Sequence, residues 1–177
     1  MGKTDHIGSI DPYIPLPSGT IYYQAAGKTV WHPIEVESLE KRLASAFPPE
    51  FRTALGIVGP LPDQASTDAI ARLGPWNIDI DASDIGEAIT ALRKLMNKFK
   101  AKDLDLSGVR FHCSGGKGFH IEIPMQCFMP FIPKGGIVDL NRIYKAMSLE
   151  IIVDGLDLNV YGGGKGHCWR IPNRLRE

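Results

Sequence analysis

No stretch of this chain approaches the roughly 18 consecutive apolar residues of a membrane span, and its first residues carry no apolar signal segment. Neither membrane insertion nor export is expected, which leaves a cytoplasmic protein. Cysteines are few: Cys113, Cys127 and Cys168 are an odd number, with no CxxC pair. A disulfide framework and a zinc knuckle are both poorly supported by that pattern, and no zinc is expected. Net charge is also missing, because 20 Lys+Arg balance 20 Asp+Glu. That argues against a protein that grips nucleic acid chiefly by charge. What remains is ordinary for a globular chain: 177 residues, 44% hydrophobic and 23% charged. The charge is unevenly spread. Residues 1–80 hold 6 basic and 9 acidic groups (−3), whereas 81–177 hold 14 and 11 (+3).

Residues 1–19, rich in Gly, Pro and Ser, suggest an extended arm. Short strands are expected over 20–24 and 29–32. A helix is expected over 35–47, with Leu39, Leu43 and Phe47 four apart and Pro48-Pro49 as its stop. Residues 50–73 show no clear period, and Gly59-Pro60-Leu61-Pro62 suggests a turn. From Trp76 the pattern sharpens. Ile78 and Ile80 alternate with Asn77, Asp79 and Asp81. A helix follows, capped by Asp84 with Glu87, and Ile85, Ala88, Ile89, Leu92, Leu95, Met96 and Phe99 form its apolar stripe. Residues 109–113 and 119–123 alternate on either side of the turn Ser114-Gly115-Gly116-Lys117-Gly118. After a proline-broken loop, Asp139 caps a helix with the stripe Leu140, Ile143, Tyr144 and Met147. Two more short strands are expected over 156–161 and 167–171.

Strand, helix, strand, strand, helix, strand is the order of a split βαβ unit. The expected fold class is α+β: a ferredoxin/RRM-like βαββαβ core over 76–177, preceded by a small N-terminal α/β module over 1–75. Two helices should cover one sheet face and leave the other open. Parity puts Asp79, Asp81, Arg110, His112, His120, Glu122, Asp157 and Arg170 on that open face.

Two carboxylates at positions i and i+2 of one strand point the same way and repel unless a cation lies between them. Hard oxygen ligands suit magnesium or manganese. The glycine-rich turn offers unobstructed backbone N–H groups, the Ser114 hydroxyl and the Lys117 ammonium, a set that suits phosphate. It equally suits a tight hairpin. It is not a P-loop, since Gly118 follows Lys117 and a strand follows the turn. A second run, Gly163-Gly164-Lys165-Gly166, echoes Gly115-Gly116-Lys117-Gly118.

These residues resemble the archaeo-eukaryotic primases and primase-polymerases. The resemblance rests on Asp79-Ile80-Asp81, on Ser114-Gly115-Gly116-Lys117-Gly118-Phe119-His120, and on Leu156-Asp157-Leu158. Trp169-Arg170-Ile171-Pro172-Asn173 is similar to the family's later Arg-containing strand. The resemblance implies that Asp79, Asp81 and Asp157 hold two magnesium or manganese ions. Ser114, Gly116, Lys117, Gly118, His120 and Arg170 would bind a nucleoside triphosphate. The implied activity is template-directed nucleotidyl transfer on single-stranded or primed DNA, with a helicase or a DNA-binding partner or domain supplying template affinity. Members of that family usually continue past the point where this chain ends, so a core truncated at its C-terminal side is expected. Two alternatives are an end-joining repair polymerase of the ligase-associated type, which shares the three motifs, and a non-catalytic RRM-like RNA-binding module. Only one aromatic, Phe119, supports the latter, and parity turns it inward.

Overall fold

Tyr22 and Tyr23 are neighbours in sequence and both at most 2% exposed. A strand carrying two such residues is covered on both faces. It is β1 (Ile21–Ala25), the middle of an antiparallel sheet in the computed structural model, which describes residues 20–25, 31–45, 49–58, 71–128, 139–162 and 166–171. Tyr22 packs with Leu39 and Ile171, while Tyr23 packs with Ile57 on the other side. One edge of β1 pairs with β2 (His32–Glu35), which runs into helix α1 (Val36–Leu43). The other edge pairs with β3 (Phe51–Thr53) and β4 (Gly56–Val58). Arg52 faces Gln24 and Ile57 faces Ile21, so the chain bulges at Ala54-Leu55. Beyond them, β5 (Ala71–Leu73) pairs with β4, and the late strand β9 (Cys168–Arg170) pairs with β3.

The second sheet has the order β6-β8-β7, all antiparallel: β6 (Trp76–Asp81), β7 (Arg110–Cys113) and β8 (Gly118–Ile123). Helices α2 (Ile85–Ala101) and α3 (Leu140–Glu150) supply the apolar cover. Ile78, Ile80, Ile121 and Ile123 are all 0% exposed and share one core with Ala88, Leu95, Phe99, Leu140 and Tyr144. The caps are as expected: Asp84 accepts the Glu87 N–H, and Asp139 accepts the Asn141 N–H. Among the described residues no helix is long and apolar enough to cross a membrane.

Several expectations need correction. Of the strand expected over 29–32, residues 29 and 30 lie outside the described residues and the observed strand is β2 at 32–35; the helix expected over 35–47 ends at Leu43. Residues 156–161 do not form a strand. Leu156 makes a single antiparallel bridge to Ile80, and a 3-10 turn (Leu158–Tyr161) follows. Asp157 caps that turn by accepting the Asn159 N–H, and the Asn141 amide takes the carbonyls of Tyr161 and Gly162. Side chains thus use backbone groups that a neighbouring strand would otherwise use. The α3 stripe is also displaced: Leu140, Asn141, Tyr144 and Ser148 are buried, while Ile143 is 44% exposed. Finally, the polar face of the second sheet is not open. Asn77 and Glu122 are buried there against the first sheet, and each is paired. The Asn77 amide donates to the carbonyls of Ala54 and Pro75, and Glu122 lies 3.8 Å from both Arg52 and Arg110. Burial is tolerated because the partners are present. The expected arm over 1–19, the turn over 59–62, Phe47, Lys165 and residues 172–177 lie outside the described residues.

Candidate functional site

The site grows from strand register. Asp79 of β6 pairs with His120 of β8, which pairs in turn with His112 of β7; the next row is Asn77, Glu122, Arg110. Directly paired residues share a face, so both rows point at the first sheet. Asp79 and His120 side chains are each 14% exposed, and Asp81 at the strand end is exposed. From the first sheet, Trp169 of β9 stacks on the His120 ring, with centroids 4.3 Å apart and planes 25° from parallel.

Asp157 arrives by a different route from the one its sequence suggests. Its N–H donates to the Asp79 carbonyl (2.9 Å), and the Asp81 N–H donates to the Gly155 carbonyl (2.8 Å). These two bonds lay the 155–157 segment along the end of β6. Gly155 has φ +80°, and a side-chain carbon there would lie 2.6 Å from the Asp81 carbonyl oxygen. Gly118 is equally constrained from the other side, since a carbon there would lie 2.0 Å from the Ile80 carbonyl oxygen. In Ser114–Gly118, the Ser114 N–H donates to the Gly118 carbonyl and closes a hairpin turn between β7 and β8. Gly115, Gly116 and Lys117 of that turn are exposed. Close packing against β6 therefore accounts for Gly118 independently of any ligand.

The charges interact strongly. Burial, then the carboxylates of Asp157 and Asp81, push Asp79 up to about 7. Burial, then His112 and His167, push His120 down to about 4, against the pull of Asp81. Asp79 Oδ1 and His120 Nε2 are 3.8 Å apart. That contact has the spacing of an ion pair, but both shifts disfavour the charged forms. We therefore describe it as a couple carrying one proton, on Asp79, between about pH 4 and 7.

Asp79, Asp81 and Asp157 are thus brought together with His120, while Ser114 and Lys117 lie at the adjoining turn. Arg170 is not brought in. It alternates with Trp169 along β9, lies 3.9 Å from Glu50, and sits over the Phe51 ring at 4.6 Å. Among the described residues no three His, Cys, Asp or Glu side chains stand close enough to hold a metal ion by themselves. The donor chemistry nevertheless fits a hard cation. Magnesium sites commonly use one or two carboxylates and complete the shell with water and phosphate oxygens. A cation would also relieve the mutual repulsion that raises Asp79.

A cleft of about 690 Å³ opens on the other side of Asp81, lined by Ser83, Glu87, Thr90, Lys94 and Asp154 among others. Its lysine is ion-paired with Asp154 at 3.0 Å, so the cleft is acidic and a poor seat for phosphate.

Sequence patterning missed His167 and Trp169 as site residues. It also missed a buried polar network behind β6. There the Trp76 indole donates to Ser148 Oγ (3.0 Å) and Tyr161 Oη (3.1 Å), and the Tyr161 hydroxyl donates to the Asn77 carbonyl. Alternation of His167 with Trp169 was the available signal for the first two. The third has no local signal. No protein-family model, curated protein or solved structure matches the chain.

Proposed function

We propose that this chain is the catalytic core of a primase-polymerase type nucleotidyltransferase, built on a ferredoxin-like half in which Leu156 stands in for the fourth strand. One observation carries the reading. Asp79, Asp81, His120 and Asp157, far apart in sequence, meet at one end of β6, and their carboxylates repel one another there. Such an arrangement is costly for a purely structural site and useful for one that receives a cation.

Asp79, Asp81 and Asp157 would hold magnesium or manganese, which when bound neutralises charge on the phosphates. His120, with Ser114 and Lys117 at the hairpin, would orient the triphosphate of the incoming nucleotide. The 3′-hydroxyl oxygen of a DNA end forms a bond to the α-phosphorus as the bond to the β-phosphate oxygen breaks, releasing pyrophosphate. The protein contributes positioning and charge complementarity. The RNA-binding alternative fits less well, because that mode needs an open sheet face and β3 and β9 cover this one.

The test is incubation with single-stranded template, manganese and labelled nucleotides, with and without a primer. Incorporation is expected, and its primer dependence separates priming from end-joining. No incorporation under either condition counts against the reading. His120→Ala should weaken nucleotide binding more than template binding. Equal losses in the two titrations would remove its triphosphate role.

A further inference from the structure

We infer that His167 is a second phosphate-contacting residue, set beside His120 to take the phosphate chain of a nucleoside triphosphate. This rests on the nucleotidyltransferase reading above and extends it to a residue outside the three motifs.

The geometry starts from β9. His167 immediately precedes that strand, and its carbonyl accepts the Ala54 N–H at 2.9 Å, so its backbone is fixed to the bulge between β3 and β4. Period-two alternation gives it the same face as Trp169. Trp169 stacks on His120, so His167 faces the same space from the opposite sheet. Its side chain is half-buried and makes no hydrogen bond within the described residues. Burial lowers its pKa, with Asp157 pulling the other way, and it also acts on His120. It therefore lies within electrostatic reach of both. The Trp169 indole N–H, buried beside it, finds no partner among the described residues either. Buried donors without partners are uncommon and point to a missing acceptor.

The echo in the sequence then acquires a use. Each Gly-Gly-Lys-Gly run is followed within two residues by a histidine, His120 in one case and His167 in the other. The fold brings the two histidines together although His120 lies on β8 of one sheet and His167 just before β9 of the other. The imidazoles of His120 and His167 and the carboxylates of Asp79, Asp81 and Asp157 border the same space. A phosphate chain bridged to a cation suits that mixture: the cation would meet the carboxylates, and phosphate oxygens would accept imidazole N–H bonds. The cleft beyond Asp81 is acidic and does not compete for phosphate.

The test uses the full chain and magnesium tripolyphosphate as the probe, read by imidazole nitrogen NMR, with signals assigned through His→Gln variants. The His120 and His167 signals should move together on titration, while exposed His32 on β2 stays still. In parallel, His167→Ala should raise the Kd for magnesium nucleoside triphosphate by about tenfold, the scale of one hydrogen bond to a charged group. Its melting temperature should stay within the wild-type range, and His167→Gln should recover part of the affinity. If His120 moves while His167 does not, and Kd is unchanged in His167→Ala, the inference fails and the nucleotide reading stands. If neither imidazole moves and the wild type binds no nucleotide, both fall. Should His167→Ala not fold, the wild-type titration decides alone.

Discussion

The two faces of the β6-β8 pair are made from alternate residues of the same strands, yet they answer to different physics. On the helix side, Ile78, Ile80, Ile121 and Ile123 are all 0% exposed and pack into one hydrophobic core. On the sheet side, Asn77, Asp79, His120 and Glu122 are shielded almost as well, but each needs a specific partner. Asn77 and Glu122 have theirs. Asp79 and His120 have each other only at 3.8 Å, beyond hydrogen-bond distance, and each is pushed toward its neutral form by burial. The comparison locates the site. It is the stretch of the polar face where burial goes uncompensated within the described residues, and that is where an outside ligand has most to contribute.

The dry, helix-facing side is where a single substitution should cost most. Ile121→Ala should cost about 2–5 kcal/mol of unfolding free energy, the range for a large-to-small change in a packed core. Denaturant titration checks this; a cost below 1 kcal/mol would mean that the helix face is loosely packed.

On the polar side the proton counts give a sharper test. In the unfolded chain the Asp79–His120 couple holds one proton between 3.8 and 6.5; folded, it does so between about 4 and 7. The windows nearly coincide, so the wild-type couple adds little pH dependence to stability. Single variants should expose the two halves. In His120→Gln, folded Asp79 keeps a proton that the unfolded chain has lost, so stability falls as pH rises from 3.8 toward 7. In Asp79→Asn, the unfolded chain takes up a proton below 6.5 that folded His120 refuses until about 4, so stability falls as pH drops through that window. The effects should be roughly 4 kcal/mol for the first variant and roughly 3 kcal/mol for the second. Denaturation curves at several pH values decide, and parallel profiles for the two variants would contradict the assignment.

The smallest expected effect lies in the network that joins the two faces. Tyr161→Phe removes the hydroxyl shared by Asn77, Ser148 and Trp76 and should cost about 1–3 kcal/mol. A thermal melt checks it, and an unchanged midpoint would mean that the hydroxyl is not a net stabiliser.

Local periodicity was enough to read the existence of β6, α2, the β7-β8 hairpin and α3, but not every buried face: Ile85 and Ile89 of the expected α2 stripe and Phe111 of β7 are exposed, and Ala91 is buried instead. It failed where partners are distant. Leu156, Leu158 and Val160 alternate like a strand, but Asp157 and Asn141 hold that backbone in a turn. Asn141 and Ser148 look like surface residues of α3 until Tyr161 is placed beside them. The three residues of β9 carry no mark of pairing with β3, so Trp169 and His167 could not be aimed at His120 from sequence. The acidic half of the site was legible because Asp79 and Asp81 share one strand. Its imidazole half needed the contact between the two sheets.

The most direct test of the account is nucleotide incorporation by the Asp79→Ala/Asp81→Ala double variant, measured beside the wild type with manganese, template and primer. The account predicts a loss of roughly a thousandfold or more, on the scale of removing preorganised charge stabilisation from an active site. It also predicts a melting temperature no lower than that of the metal-free wild type, because the lost carboxylates repel one another and Asp157. Wild-type levels of incorporation by a folded double variant would contradict it.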